Sequence, residues 1–438
     1  MYIKNRRNSN KFKGFELVSN FVLNRKFCAS KSPTFHILTV VAHFEKTRSL
    51  MKKILKIFTV TILIFFGIFI LWFRFILTEH DEFKNATLFE HRKHISTDGP
   101  YILYENDSVR YISVEKEGRK YVVEDNMIPL EVARTSFTVH SFGYDNIACI
   151  SFKVNLADSL AIPNSIYPEA DRLLVVSDIE GNFYAFHKLL RANQIVDDSL
   201  NWNYGKGHLV LLGDFFDRGL NVTQCLWLIY NLEQQAKKAG GNVHFLLGNH
   251  ELLNLQGNIY HVRSKYKKLA KRIDLDYSNN LYGKNSELGR WLRTKNCIEK
   301  IGDLLFLHAG LSEEYLDLNL SLDKTNQIIR NNIDFINTET ISKVVNGVNG
   351  PLWSRIMGHA QNERTKETVE KTKSIYNVST IIIGHSTVSD IYQQYENSLI
   401  NIDVHFPHND SDTKRGKALL IESGNRYKVD DFGIKTKI

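Results

Sequence analysis

One pattern, repeated five times after residue 171, most constrains what this chain can fold into. A short, continuous apolar run ends each time in a cluster of Asp, Glu, Asn or His. The runs are LLVVSDIEGN from Leu173, HLVLLGDFFDRG from His208, VHFLLGNHE from Val243, LLFLHAG from Leu304 and TIIIGHS from Thr380. Uniformly apolar runs this short fit strands buried on both faces, and helical patterns follow them. The class is therefore α/β. In open α/β sheets, ligands sit beyond the carboxyl ends of the strands. Five strands that deliver carboxylates, amides and imidazoles at that end predict one shared site.

Charge and cysteines narrow the function classes. The net charge of +8 suggests a nucleic-acid binder, but thirteen Lys or Arg stand against two Glu within residues 1–56. The rest of the chain is net acidic, so no nucleic-acid partner is expected. Four scattered cysteines without a CxxC pair argue against a zinc ribbon or a disulfide framework. From Ile57 to Phe73 the sequence IFTVTILIFFGIFILWF carries no charge. Roughly 20 such residues span a bilayer core, and residues 54–77 are read as a single transmembrane signal-anchor. The alternatives are a buried helix and a cleaved signal peptide, but Trp72, Phe73, Arg74 and Phe75 follow where small residues would mark cleavage. Lys52, Lys53 and Lys56 before the span, and Glu79, Asp81 and Glu82 after it, put the N-terminus in the cytoplasm and the remainder outside. In a double-membrane bacterium that is the periplasm. Residues 1–53 form a basic segment. Met51 opens MKKILKIF, a complete anchor start by itself, which suggests an upstream start for the first fifty residues.

Residues 95–156 read differently. The stretch from Pro100 to Asn126 alternates apolar and polar residues, with turn pairs at Asn106-Asp107 and Glu117-Gly118. That is the period-2 signal of half-exposed hairpins. A small β-rich module is expected here, followed by a linker over 157–170 that contains Pro163 and Pro168. The catalytic domain is placed at 171–433.

SDIEGN, GDFFDRG, GNHE, HAG and GHS resemble, in the same order, the motifs of the calcineurin-like metallophosphoesterases. GDFFDRG and GNHE are most similar to the serine/threonine phosphoprotein phosphatase branch. The resemblance runs from about Asp178 to His385. It implies a central pair of β-sheets flanked by helices, closed by SLINIDVHF, KALLIES and NRYKVD. It also implies two divalent metals holding a bridging hydroxide that attacks a phosphomonoester directly. Asp178, Glu180 and Asp214 would hold the first metal. Asp214, as the bridge, would hold the second with Asn249, His308 and His385. By the same resemblance His250 protonates the leaving oxygen, oriented by Asp217, while Arg218 and Arg355 bind phosphoryl oxygens. Glu251 is read as structural. His187, about two helical turns beyond Glu180, is the one substitute ligand considered.

One departure matters. The family usually has Asp-x-His at the first cluster, whereas this chain has Asp178-Ile179-Glu180. A third carboxylate lowers the Lewis acidity of the first metal and favours harder ions. Manganese is therefore preferred over iron, zinc or magnesium, with an alkaline optimum. The alternatives are a catalytically weak metal-binding protein that recognises phosphorylated ligands, and a phosphoesterase acting on a nucleotide, diphosphate or lipid phosphate. The segments that would choose the substrate are 252–295 and 311–350.

Overall fold

The computed structural model describes residues 96–142, 149–358, 362–407 and 415–438, with isolated positions between 53 and 61. The anchor expected over 54–77, the basic segment before it and the start at Met51 lie outside the described residues, those positions apart. Among the described residues no helix is long and apolar enough to cross a membrane.

The apolar runs become strands. An N-terminal meander comprises β1 (Asp98–Glu105), β2 (Ser108–Glu117) and β3 (Lys120–Pro129), followed by the hairpin β4 (Phe137–His140) and β5 (Ser151–Val154). Asn106 supports the β1–β2 turn at φ +55°, a conformation asparagine tolerates. The segment expected as a linker contains a short strand, β6 (Ile166–Tyr167), paired in parallel with Lys300 and Ile301. Two residues bracketed by Pro163 and Pro168 are too few to show a strand period.

Beyond β6 run β7 (Arg172–Val176), helix α1 (Phe183–Ala192), β8 (His208–Leu211), helix α2 (Val222–Ala239), β9 (Asn242–Phe245) and helix α3 (Asn249–Leu255). The chain continues through β10 (Ile298–Ile301), β11 (Leu304–Leu307), β12 (Thr380–Ile383), β13 (Tyr392–Gln394), β14 (Leu399–Asn401), β15 (Lys417–Glu422), β16 (Asn425–Asp430) and β17 (Lys435–Lys437). Two six-stranded sheets result, ordered β17-β16-β15-β7-β8-β9 and β13-β14-β12-β11-β10-β6.

Alternation along each strand explains why the runs are apolar throughout. Leu173 and Val175 pack with Phe306, Ile382 and Ile400 of the other sheet. Leu174 and Val176 face the helical layer instead. Each run is thus buried on both faces, and its carboxyl end emerges beside its neighbours' ends. β7, β8 and β9 are mutually parallel, as are β11, β12 and β14.

β1–β5 share this core. The Trp227 indole of α2 donates to the Pro100 carbonyl at 2.8 Å and meets the Phe137 ring edge-on at 5.0 Å. The Tyr101 hydroxyl donates to Asp98 and lies 3.2 Å from the Thr223 hydroxyl of α2. The described residues from Ser96 onward belong to one compact unit. Trp227→Ala should therefore destabilise this unit by about 3–5 kcal/mol, in one cooperative transition on thermal unfolding. A separate early transition for β1–β5, with the remainder unshifted, would contradict the shared core.

Candidate active site

The strand-end loops are laced together through their backbones. The Asp178 N–H donates to the Gly213 carbonyl at 3.1 Å, and the Glu180 N–H to the Asp214 carbonyl at 2.8 Å. Gly213 has φ +90°, and a Cβ there would collide with the backbone of Gly248. So the glycines of GDFFDRG and GNHE let two loops touch. Asp178, Glu180, Asp214, Asp217, Arg218 and His385 all adopt left-handed φ values between +49° and +68°. Each such non-glycine residue costs about 1–2 kcal/mol, and such residues cluster where side chains must be aimed.

Glu251 holds one of these residues, Asp214, by its backbone. Its carboxylate is fully buried. One oxygen accepts from the N–H groups of Gly248 and Asp214 at 2.7 and 2.8 Å. The other accepts from Phe215 at 2.8 Å and Phe216 at 3.3 Å. It thus clamps the β8 loop to the start of α3 and agrees with a structural role.

Asp214, His308 and His385 form a buried cluster whose donor atoms all lie within 4.8 Å of one another. His308 Nδ1 lies 2.7 Å from the Leu212 carbonyl, to which it donates, turning Nε2 toward the cluster. That Nε2 lies 2.9 Å from Asn249 Oδ1, 3.1 Å from His385 Nδ1 and 3.3 Å from Asp214 Oδ2. His385 Nε2 is buried without a hydrogen-bond partner among the described residues. Two imidazole nitrogens converging on one carboxylate and one amide oxygen, with an orphaned ring nitrogen beside them, fit a divalent cation. The electrostatics agree. Burial opposes charging His308, yet the Asp214 carboxylate overcomes it and pushes the imidazole up to about 10. Burial and then the charge of His308 push His385 down to about 3. Burial would raise Asp214, but His308 and His250 hold it well below the usual carboxylate range. The pocket is thus arranged to favour one shared positive charge.

Asp178 and Glu180 sit beside this cluster, each with one carboxylate oxygen engaged elsewhere. Asp178 accepts from the Ser177 hydroxyl and from the His385 N–H at 3.1 Å. Glu180 is paired with Arg218. Burial pushes each carboxyl up to about 7.

His250 occupies the rim. Its Nδ1–H donates to Asp217 at 2.6 Å, and Asn254 donates to the same oxygen at 2.9 Å. Burial disfavours the imidazolium, but Asp214 and Asp217 outweigh it and push His250 up to about 9. Arg355 donates to the His385 carbonyl at 2.9 Å and to the Ser386 hydroxyl at 3.3 Å. The other predicted ligands and their partners therefore gather at these strand ends, and Arg355 reaches them from a loop between β11 and β12. His187 does not: its ring nitrogen meets the Phe183 carbonyl of its own helix at 2.9 Å.

Two neighbours escaped the sequence reading. Asp403 is buried just after β14, where it accepts from the Thr387 hydroxyl at 3.1 Å. Burial, and then Asp178, push its carboxyl up to about 8. The run LINIDV carries the same apolar-then-acidic signature as the five clusters and held that signal. The His261 ring lies 5.2 Å from that of His250, in an aperiodic segment that held none.

A family model for calcineurin-like phosphoesterases matches residues 171–389. The chain is 26% identical over 265 residues to an uncharacterized protein of Schizosaccharomyces pombe, covering 56% of this chain and 76% of that one. It is 26% identical over 253 residues to Shewanella-like protein phosphatase 1 of Plasmodium berghei, covering 54% and 68% respectively. Among solved structures, the cold-active protein-tyrosine phosphatase of a psychrophilic Shewanella species superposes with a TM-score of 0.65 at 28% identity. That match covers 78% of this chain and 99% of the other. It is a larger share than residues 171–438 make up, so it reaches into the part of the chain before β7.

The Glu251 clamp is open to test. Glu251→Gln removes the charge and presents an amide N–H to backbone donors. It should destabilise the protein by about 2–4 kcal/mol, read as a fall in Tm. An unchanged Tm would show that the loop holds its shape without the carboxylate.

Proposed function

We propose that this chain, which belongs to the calcineurin-like phosphoesterases, hydrolyses a phosphomonoester and that the ester is carried by a phosphoprotein. It is a hydrolase on the phosphoprotein phosphatase side of that superfamily, as its relatives and its GDFFDRG and GNHE motifs attest. One observation carries the reading. A buried donor pocket of Asp214, Asn249, His308 and His385 opens on the same strand ends as an Asp217–His250 pair and two arginines. Bound divalent cations supply Lewis acidity toward phosphoryl oxygens and lower the pKa of water. The protein's own groups complete the chemistry. Arg218 and Arg355 suit a phosphoryl dianion, because planar guanidinium forks match its oxygens. His250 gives its Nε2 proton to the departing oxygen, and Asp217 fixes the tautomer by taking the Nδ1 hydrogen bond. The phosphoprotein class rests on the relatives: one is named a protein-tyrosine phosphatase and others are named protein phosphatases.

A weak, non-catalytic binder of phosphorylated ligands is the second reading. The ion pair of Glu180 with Arg218 favours it, since that pair engages one prospective ligand of the first cation. The buried Asp217–His250 pair favours hydrolysis, because a binding module has no use for a leaving-group acid.

Hydrolysis of p-nitrophenyl phosphate after metal stripping separates the two. Manganese should restore turnover, with an optimum above neutrality. Asp214→Asn should lower kcat by about a hundredfold or more. Asp217→Asn should lower it by about 10²-fold and shift the alkaline limb. An acid catalyst works below its pKa and is lost as pH rises through it. Removing the Asp217 charge lowers that pKa, so the limb moves to lower pH. Restoration only by iron or zinc, with an acidic optimum, would refute the manganese preference. No turnover despite bound metal would favour the binder.

We also propose that residues 54–77 anchor the chain in a membrane, N-terminus cytoplasmic and catalytic part outside. The support is the uncharged run 57–73 with its basic upstream flank. Protease added to sealed cells or vesicles of known orientation should digest the catalytic part only when it can reach the extracytoplasmic face. Digestion from the cytoplasmic face alone would reverse the topology.

A further inference from the structure

We propose that the Glu180–Arg218 pair couples phosphate arrival to loading of the first of the two cations. The inference rests on the two-cation reading above and adds a linkage between its parts. The two prospective donor sets differ. In the first, Asp178 accepts from the Ser177 hydroxyl and the His385 N–H, while Glu180 is held by the Arg218 guanidinium. In the second, His308 Nε2, His385 Nδ1, Asn249 Oδ1 and an Asp214 oxygen already converge on one point. The second set is ready for a cation. In the first, Glu180 is held through Oε1 by a cation of the protein's own.

The type of residue at 180 makes this so. A neutral imidazole there would give Arg218 no ion-pair partner, whereas a carboxylate does. Arg218 is the counter-charge paired with Glu180, through Oε1, until another cation arrives. Arg218 is itself half-exposed, with 52% of its side chain open to solvent, and an incoming dianion can reach it. Phosphate and Glu180 therefore compete for one guanidinium, while a metal ion and Arg218 compete for one carboxylate. When phosphate takes Arg218, Glu180 is released to the metal. When the metal takes Glu180, Arg218 is released to phosphate. Each ligand must strengthen the other by the same factor.

The backbone permits the exchange without rearranging the loops. The Arg218 carbonyl is fixed by the Arg263 side chain, and the Glu180 N–H by the Asp214 carbonyl at 2.8 Å. Only the side chains beyond those anchors must turn. The substrate then completes the site that acts on it, and cation loading is disfavoured when no phosphate is present.

The test is a titration of the metal-stripped full-length chain with Mn²⁺, with free Mn²⁺ counted by its EPR signal, with and without inorganic phosphate. Without phosphate, one equivalent should bind tightly and a second about tenfold or more weakly. Phosphate should strengthen the second equivalent by at least that factor. In Arg218→Gln the second equivalent should bind without phosphate as tightly as it does in the wild type with it. In Glu180→His, which retains a ligand but has no charge for Arg218, the two equivalents should be nearly alike and phosphate should matter far less. One tight equivalent in every variant shows that the second donor set has stayed folded. Two equal equivalents in the phosphate-free wild type would overturn the coupling and leave the two-cation reading standing. So would an unchanged second affinity in Arg218→Gln. A single equivalent in all proteins, phosphate or not, would overturn both.

Discussion

The site depends on one buried carboxylate that never meets a substrate. Glu251 receives four backbone N–H groups, from Gly248, Asp214, Phe215 and Phe216. Those donors belong to two loops that would otherwise leave them unpaired inside the protein, at about 1–3 kcal/mol each. Satisfying them fixes the left-handed Asp214 backbone, and that conformation aims the Asp214 carboxylate at His308. The N–H of His250 in turn donates to Asp214 at 2.9 Å. His250 and the Asp214 carboxylate are therefore positioned by a single set of contacts. A carboxylate is required because four donors demand an acceptor of full charge with two oxygens.

Charge balance is the second constraint. Asp178, Glu180 and Asp214 are crowded together, and burial, then Asp178, raise the Asp403 carboxyl beside them. Carboxylates this close cannot all stay ionised without positive charge. Around them the protein arranges His308 and His250, which hold Asp214 low, and Arg218, which pairs with Glu180. The same crowding would favour a divalent cation, which replaces scattered positive charges with one that is closer and stronger. Glu180, where the family pattern usually carries histidine, adds a negative charge to the pocket and is paired with an arginine that offsets it.

Much of the fold and the site was legible because both are built on periodicity. Strands buried on both faces must be apolar throughout, so the five runs announced themselves, and their polar ends could serve no core. The period-2 stretch over β1–β3 was equally plain. What escaped obeyed no period. β6 is two residues long and paired to a strand about 130 positions away. Asp403 ends a run that resembles the others but lacks the glycine that flanks most of their clusters, and His261 sits in a loop. That β1–β5 share the core was also hidden, because contacts such as Trp227 with Pro100 join residues over a hundred positions apart. Alternation tells that a residue is buried, not what it is buried against.

This division between periodic and aperiodic parts also explains why the chemistry is easier to read than the substrate. Pocket donors sit at the ends of parallel strands, where the sheet sets their spacing. The surfaces a substrate would meet beyond the phosphoryl group come from elsewhere. His261 stands beside His250, and Trp353 presents its ring to His385 at 6.3 Å. Trp353 also lines a cavity with Leu252, Gln256, Ile336 and Val348, the last two exposed and apolar. A phosphoryl group requires charge and orientation, which a rigid sheet supplies alike to many substrates. The group beyond the phosphoryl would instead meet loops that lie outside the clamp at Glu251. Selectivity in such a protein therefore belongs to the segments that least resemble any repeating pattern, and changes there can alter the substrate while the hydrolytic centre keeps its form.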